Sequence, residues 1–497
     1  MNNIKNTSIG KFLFQNYILK AFTSFSLTQF LGTLVGLAMI SLYTKNLSPS
    51  DFGKINFIMI TVGILSIVID SGLNTAFSIK FFKVPNEQNA KTVYSILIYN
   101  FFVVSIFYAI FLFIPSISKQ SFRVSLTIPQ LSLVFTLILV TIISRFYTNF
   151  LIISRQPKSY FWVNIYFFLA LLLMSFLFLL ILKMGYFAYI KAYFFAHTML
   201  AVIGLYYFFS IYKPELKELF SFRRLSPLLK LGLPLVPNSI LLMLLNYADR
   251  YMLEIYTGLS AVGIYSVGYT FAEKINSLVI NPMGQALTPQ GFQTFARSIP
   301  EYKEFLKKIF EGYWFIIEVL LVAYFSILRE VFDFIVGKEY IEGFNIIAIV
   351  ILGTVFGGGA SMVAGTLMMK EKTDKVFMFS FVSVIFNVGL NLFLIPEFGI
   401  YGAALATFLS YVLYFEIFFI YTQKLVYVPY NFRKILLSGF FTLLFLGIIL
   451  FLSYTSINLL LRLLIKLIFL LIFIIGMQKF FKIKDVIMEF LQYGIQR

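Results

Sequence analysis

About fourteen stretches of some twenty mostly apolar residues follow one another along this chain, and a run of that length is what a helix needs to cross a bilayer. They fall near 21–43, 55–79, 93–115, 130–153, 160–182, 187–211 and 232–257, then 261–284, 310–336, 343–368, 375–395, 400–422, 434–454 and 457–478. Inside lipid every backbone polar group has to be satisfied within the protein, so stretches of this kind are read as α-helices. The expected fold is therefore an all-α integral membrane protein with about fourteen transmembrane helices. Of the 497 residues, 60% are hydrophobic and 12% charged. A water-soluble domain carries about 25% charged residues.

The charges between the stretches test this reading. With the N-terminus on the cytoplasmic side and the sides alternating, roughly 27 of the 40 Lys and Arg fall in cytoplasmic segments and about 6 in outer ones. Lys80, Lys83 and Lys91 lie in one such segment, Lys213, Lys217, Arg223, Arg224 and Lys230 in another, and Lys479, Lys482 and Lys484 in the tail. A missed span would place later loops on the wrong side and erase the bias. The net charge of +18 is thus read as membrane orientation, and no nucleic-acid partner is expected. Both termini are expected in the cytoplasm. The first twenty residues lack an Ala-x-Ala-type cleavage site and are read as a cytoplasmic start. There is no cysteine and a single histidine, His197, which excludes disulfides, thiol chemistry and a histidine metal cluster.

The two longest loops, near 212–231 and 285–309, are both cytoplasmic in this scheme, and no loop has room for a soluble catalytic domain. The expected organisation is an N-terminal six-helix bundle over 1–211, a linker over 212–231, a second six-helix bundle over 232–422, and two extra spans with a tail over 423–497. A weak repeat supports the pairing of bundles, with Gly53 matching Gly263 and Gly185 matching Gly399. Six spans per repeat make it parallel, a transporter pattern whose substrate site lies between the halves. Gly232, Pro234 and Pro237 open the seventh stretch, where a proline is tolerated and a bend is expected.

Ionisable residues within a span cost roughly 2.5–3.5 kcal/mol each to insert and mark candidate sites. The deep ones are Asp70, Arg145, Asp249, Arg250, Glu273, Lys274 and Lys466, while Lys191, Glu254, Arg329 and Arg462 lie nearer the interfaces. Glu318 and Glu416 have no evident partner. Asp70 and Asn74 share one helix face, and Arg250 has Asn246 and Glu254 four residues to either side, with Asp249 pointing elsewhere. Arg250, Asp249, Lys274, Arg145 and Lys191 are the candidates for a cationic, hydrated cavity. Asp70 and Glu273 are the candidates for coupling to an ion. His197 reads as a hydrogen-bonded helix residue.

At three segments the chain resembles the polysaccharide-exporting branch of the MOP flippase superfamily, the Wzx-type O-antigen and capsule flippases. The first is LGTLVGLAMISLYTKNLSPSDFGKINFI, with its Leu-Ser and Asp-Phe-Gly turn. The second is 229–272, with two prolines, the Asp249-Arg250 pair and a Val-Gly-Ile-Tyr turn. The third is NVGLNLFLIPEFGIYGAALATFLSY at 387–411. The resemblance implies a two-lobed, V-shaped bundle working by alternating access. It implies export of undecaprenyl-diphosphate-linked repeat units from the cytoplasmic to the outer face of a bacterial inner membrane, for O-antigen, lipopolysaccharide or other surface polysaccharide. It also implies that Asp249 and Arg250 handle substrate, since they lie in a matching segment. Arg suits phosphate because its fork offers paired donors. The last two spans would offer a groove for the lipid tail. No cofactor is expected, and the chain shows no ATP-binding loop, so H⁺, Na⁺ or substrate flux would drive transport. The expected partners are the lipid-linked glycan, membrane lipids and the polysaccharide polymerase or chain-length machinery, with the chain itself a monomer. A MATE-like drug antiporter, a lipid II flippase, and less closely a membrane glycosyltransferase or polymerase are the competing readings.

Overall fold

The computed structural model describes residues 8–81, 86–211, 219–370 and 372–482. These form helices joined by turns. In chain order they are α1 (Ser8–Thr44), α2 (Pro49–Asp70), α3 (Leu73–Lys80), α4 (Asn86–Phe113), α5 (Pro115–Phe122), α6 (Ile128–Ile153), α7 (Pro157–Phe176), α8 (Phe187–Ile211) and α9 (Phe222–Gly232). There follow α10 (Val236–Thr257), α11 (Leu259–Ile275), α12 (Asn281–Arg297), α13 (Ile299–Ile335), α14 (Phe344–Met369), α15 (Thr373–Leu425), α16 (Phe432–Ser453) and α17 (Leu459–Phe481). Helices run through all the apolar stretches read from the sequence.

Among the described residues, 11 helical segments are long and apolar enough to cross a membrane, and the chain is a multi-pass membrane protein. One of them, Asp374–Leu425, is broken at Gly399, whose φ of 54° lies in the left-handed region. The stretches expected over 375–395 and 400–422 meet there. The stretches over 261–284 and 310–336 are helical but not among the 11. A count of fourteen crossings therefore rests on the sequence.

Several helix starts follow from local chemistry. Ser48 caps α2 by accepting the Asp51 N–H at 3.2 Å, with Pro49 in the first turn. Thr127 and Gln130 form a capping box on α6, again followed by a proline. Where Gly232, Pro234 and Pro237 predict a bend, a 3₁₀ turn over Leu233–Leu235 joins α9 to α10. The stretch expected as one span over 55–79 is two helices. The left-handed Ser71 (φ 52°) and Gly72 (φ 70°) stop α2 and start α3.

By packing the chain falls into two compact units, Met1–Ser266 and Val267–Arg497. In the first, α6 packs on α8, α4 and α2, and α7 lies between α1 and α8. Its core joins residues such as Ile69, Phe135 and Ile138, with a second cluster around Phe146, Phe150 and Phe208. In the second, α14 packs along α15, and α13 carries both α16 and α17. Helix α10 and the first half of α11, grouped with the second bundle in the sequence reading, belong to the first unit by packing. Of the expected linker 212–231, residues 212–218 lie outside the described residues, and α9 begins at Phe222. Lys83, Lys213, Lys217, Lys484 and both chain ends also lie outside them.

Two close backbone approaches tie the start of α11 to α2. A Cβ on Gly53 would run into the Leu259 carbonyl oxygen, and one on Gly263 into the Pro49 carbonyl oxygen. Each glycine thus faces the residue four before the other. That reciprocity is what a local two-fold axis produces, and Gly53 and Gly263 are positions matched by the sequence repeat. Gly72 and Gly232 abut in the same mutual way. Only glycine lets two backbones approach this closely.

Candidate functional site

The first unit contains an open hollow of about 170 Å³ at the joint between α2 and α3. Ser66, Asp70, Gly72, Asn74 and Thr75 form one side, Ile142 and Arg145 of α6 another, and Leu235, Val236 and Ser239 close it. The break at Ser71–Gly72 shapes the site, because it places the end of α2 and its polar groups beside α6. Interrupted helices of this kind build the substrate sites of many transporters.

Asp70 Oδ2 accepts the Asn74 backbone N–H at 3.2 Å, at the start of α3. Asn149, one turn beyond Arg145 on α6, donates to Asn74 Oδ1 at 2.6 Å and to Ser78 Oγ at 2.7 Å. This ties α6 to α3 and fixes the wall of the hollow. Arg145 lies within electrostatic reach of Asp70, Tyr193 and Tyr247. Its side chain is nonetheless exposed, and its guanidinium makes no salt bridge or hydrogen bond to any described residue. A free guanidinium in a polar recess is a ready receptor for an anion.

Of the residues singled out in the sequence, Asp70, Asn74 and Arg145 line the hollow. The other charged candidates do not. Asp249 and Arg250 are 1% and 3% exposed and pair with each other at 2.9 Å. Tyr265 donates to Asp249 Oδ2 at 2.6 Å, and Arg250 also donates to the Asn246 carbonyl at 2.7 Å. The rings of Tyr247 and Tyr265 cover the guanidinium. The expectation that this pair lines a hydrated cavity is corrected here: in this conformation it is a dry lock. Asp249 does not point elsewhere: its carboxylate takes both the adjacent arginine and the Tyr265 hydroxyl. Glu254 pairs instead with Arg123 at 3.6 Å.

Lys191 rests on the Met184 sulfur at 3.2 Å, away from the residues lining the hollow. Glu273 and Lys274 belong to the second unit, at the end of α11, just before a π-helical turn over Asn276–Ile280. Glu273 is exposed and Lys274 half-buried. Glu318, 4% exposed, accepts from Ser438 at 3.1 Å. Lys466 and Arg462 share Glu330, at 2.8 and 3.0 Å. His197 hydrogen-bonds Ser144 at 2.8 Å, as expected of a helix residue. Sequence reasoning missed Asn149, Thr75 and Ser239. Asn149 had a usable signal, since it follows Arg145 by four residues as Asn74 follows Asp70.

Residues 18–295, which include every residue of the hollow, match the family described as Polysaccharide biosynthesis protein. The chain belongs to this family. Among curated proteins, an uncharacterized membrane protein of Methanocaldococcus jannaschii is 25% identical over 235 residues, 46% of each chain. The match thus spans under half of that relative's length. Among solved structures, the chain shares the fold of the lipid II flippase MurJ in an inward closed conformation. The TM-score is 0.68 at 17% identity, with 92% of this chain and 98% of that one covered. It also shares the fold of an inward-facing MATE family multidrug transporter of the MOP superfamily. There the TM-score is 0.65 at 13% identity, covering 81% of this chain and 98% of that one. The family match and these likenesses give the chain the polysaccharide biosynthesis family and a fold shared with MurJ and MATE transporters.

Proposed function

We propose that this protein flips a lipid-linked oligosaccharide, of the undecaprenyl-diphosphate type, from the cytoplasmic to the outer face of a bacterial inner membrane. The observation that carries the reading is the unpaired Arg145 guanidinium in the hollow at the α2–α3 joint. A diphosphate headgroup cannot cross hydrocarbon unaided. A cationic recess at membrane depth holds it while the polyprenyl tail remains in lipid. The hollow lies toward the ends of α2 and α6 that lead into Lys- and Arg-rich loops, the side from which such a cargo is collected. The polysaccharide family supports a glycan on the lipid, and the MurJ-like architecture supports a lipid-diphosphate carrier. Repeat units for O-antigen, lipopolysaccharide or capsule are the expected cargo, with H⁺ or Na⁺ as the coupling ion. The working form is a monomer among membrane lipids, beside the polymerase or chain-length machinery.

A strain lacking the gene should accumulate lipid-linked repeat units and lose surface polysaccharide. Complementation with Arg145→Ala should restore export at least about tenfold less well than the parent at equal membrane level, since one charge-assisted anion contact is worth about 1.5–3 kcal/mol. Normal polysaccharide in the deletion strain, or full complementation by Arg145→Ala, would overturn the reading.

A further inference from the structure

The hollow presents an acceptor as well as a cation. Asp70 Oδ2 is held by Asn74, but Oδ1 is buried and has no hydrogen-bond partner among the described residues. Buried polar atoms are almost always paired in folded proteins. Several of the donors nearby are committed elsewhere. Both N–H bonds of the Asn149 amide go to Asn74 and Ser78. The Ser66 hydroxyl donates to the Val62 carbonyl at 2.6 Å and the Ser239 hydroxyl to the Leu235 carbonyl at 3.1 Å. Arg145 is within electrostatic reach yet does not bridge to Asp70. A guanidinium that can take an anion and a carboxylate with one unsatisfied oxygen therefore line one recess. A ligand that satisfies both carries a phosphate and, beside it, an O–H or N–H.

We propose that Asp70 determines specificity by accepting a hydrogen bond from the substituent at carbon 2 of the first sugar, the sugar whose diphosphate Arg145 holds. The inference rests on the flippase reading and extends it to the cargo's reducing end. Carbon 2 is next to the anomeric carbon that bears the phosphate, so its hydroxyl or acetamido N–H is the sugar donor nearest the anion. The hollow is open and small, about 170 Å³, so it can receive only the reducing end of the cargo and not a whole repeat unit. The rest of the glycan must lie outside the hollow, so discrimination at this point concerns the first sugar. A site built around a hydrogen bond strongly rejects an analogue that lacks the donor, because its own polar group is then left unpaired.

The test uses the full chain in vesicles of phosphatidylethanolamine and phosphatidylglycerol, with three short-chain polyprenyl diphosphates. One bears N-acetylglucosamine, one 2-deoxyglucose and one no sugar. The parent should flip the first at least about tenfold faster than the second. Asp70→Leu should move those two at equal rates, and Asp70→Asn, which keeps an acceptor oxygen and guards against misfolding of the leucine variant, should retain part of the preference. Arg145→Ala should slow all three alike. No preference in the parent, or an unchanged preference in Asp70→Leu, overturns the role of Asp70. Loss of all three activities in Asp70→Asn overturns it in favour of ion coupling at this carboxylate. Failure of the parent to move any probe, or indifference of all three to Arg145→Ala, overturns the flippase reading itself and this inference with it.

Discussion

Replacing Asp249 by leucine should remove a large part of the protein's stability, and replacing Arg250 as well should return most of it. Asp249 accepts two charge-assisted hydrogen bonds, from Arg250 at 2.9 Å and Tyr265 at 2.6 Å, at a place where neither charged side chain is more than 3% exposed. Removing one partner of a buried ion pair typically costs about 3–5 kcal/mol, because the remaining charge has lost its compensation in a low-dielectric interior. Replacing both by apolar side chains is often close to neutral. The Tyr265 hydroxyl and the Asn246 carbonyl would each still lose a bond, worth about 1 kcal/mol apiece. The expected pattern is therefore about 3–5 kcal/mol for Asp249→Leu, a similar figure for Arg250→Leu and about 2 kcal/mol for the double variant. The coupling energy should exceed about 3 kcal/mol, far beyond the additivity seen for independent sites. Unfolding in mixed micelles, followed by circular dichroism, measures all four corners of the cycle. Single variants within about 0.5 kcal/mol of the parent, with an additive double variant, would refute the dry-lock description. Arg250 would then return to the residues that face water.

The same logic applies to Glu330, whose one oxygen serves both Lys466, 1% exposed, and Arg462. Glu330→Gln should loosen α17 from α13 by about 3 kcal/mol, and Lys466→Met in the same chain should restore much of that. Because the chain has no native cysteine, cross-linking of an engineered cysteine pair across the two helices reads this directly. Gly263→Val should lower the midpoint of thermal unfolding markedly, since its Cβ would overlap the Pro49 carbonyl oxygen. Gly447→Val, where no atom stands within 4 Å, should not. Equal midpoints for the two variants would contradict the close approach of α11 to α2.

Much of the fold was legible because lipid leaves few choices. Apolar length and the placement of Lys and Arg locate the helices, and Gly232, Pro234 and Pro237 mark the 3₁₀ joint before α10. Ser71 and Gly72 were harder to read, since a short break inside an apolar run does not interrupt its hydropathy. The site was half legible. Local i, i+4 spacing related Asp70 to Asn74, and their contact is real. Nothing in a single sequence relates Asp70 to Arg145, which come from different helices and meet only through packing. The same spacing rule misassigned Arg250. It related Arg250 to Glu254, but Glu254 is taken by Arg123, more than a hundred residues earlier in the chain, and the arginine settles on its neighbour Asp249 and on an aromatic cover from α10 and α11. Spacing on one helix cannot rank such partners against those supplied by other helices.

The paired glycines at the two ends of α2 have a mechanical consequence. At Gly53–Gly263 and at Gly72–Gly232, main chain lies against main chain with no side chain interposed. Such a junction has nothing to unlock from a groove when its halves part, and no rotamer to reset when they rejoin. Helix α2 is packed along its length against α6, α10, α5, α4 and α8, and these two seams are where it meets a neighbour main chain to main chain. A tilt of α2 at the Gly72–Gly232 seam would widen or narrow the Asp70–Arg145 recess beside it.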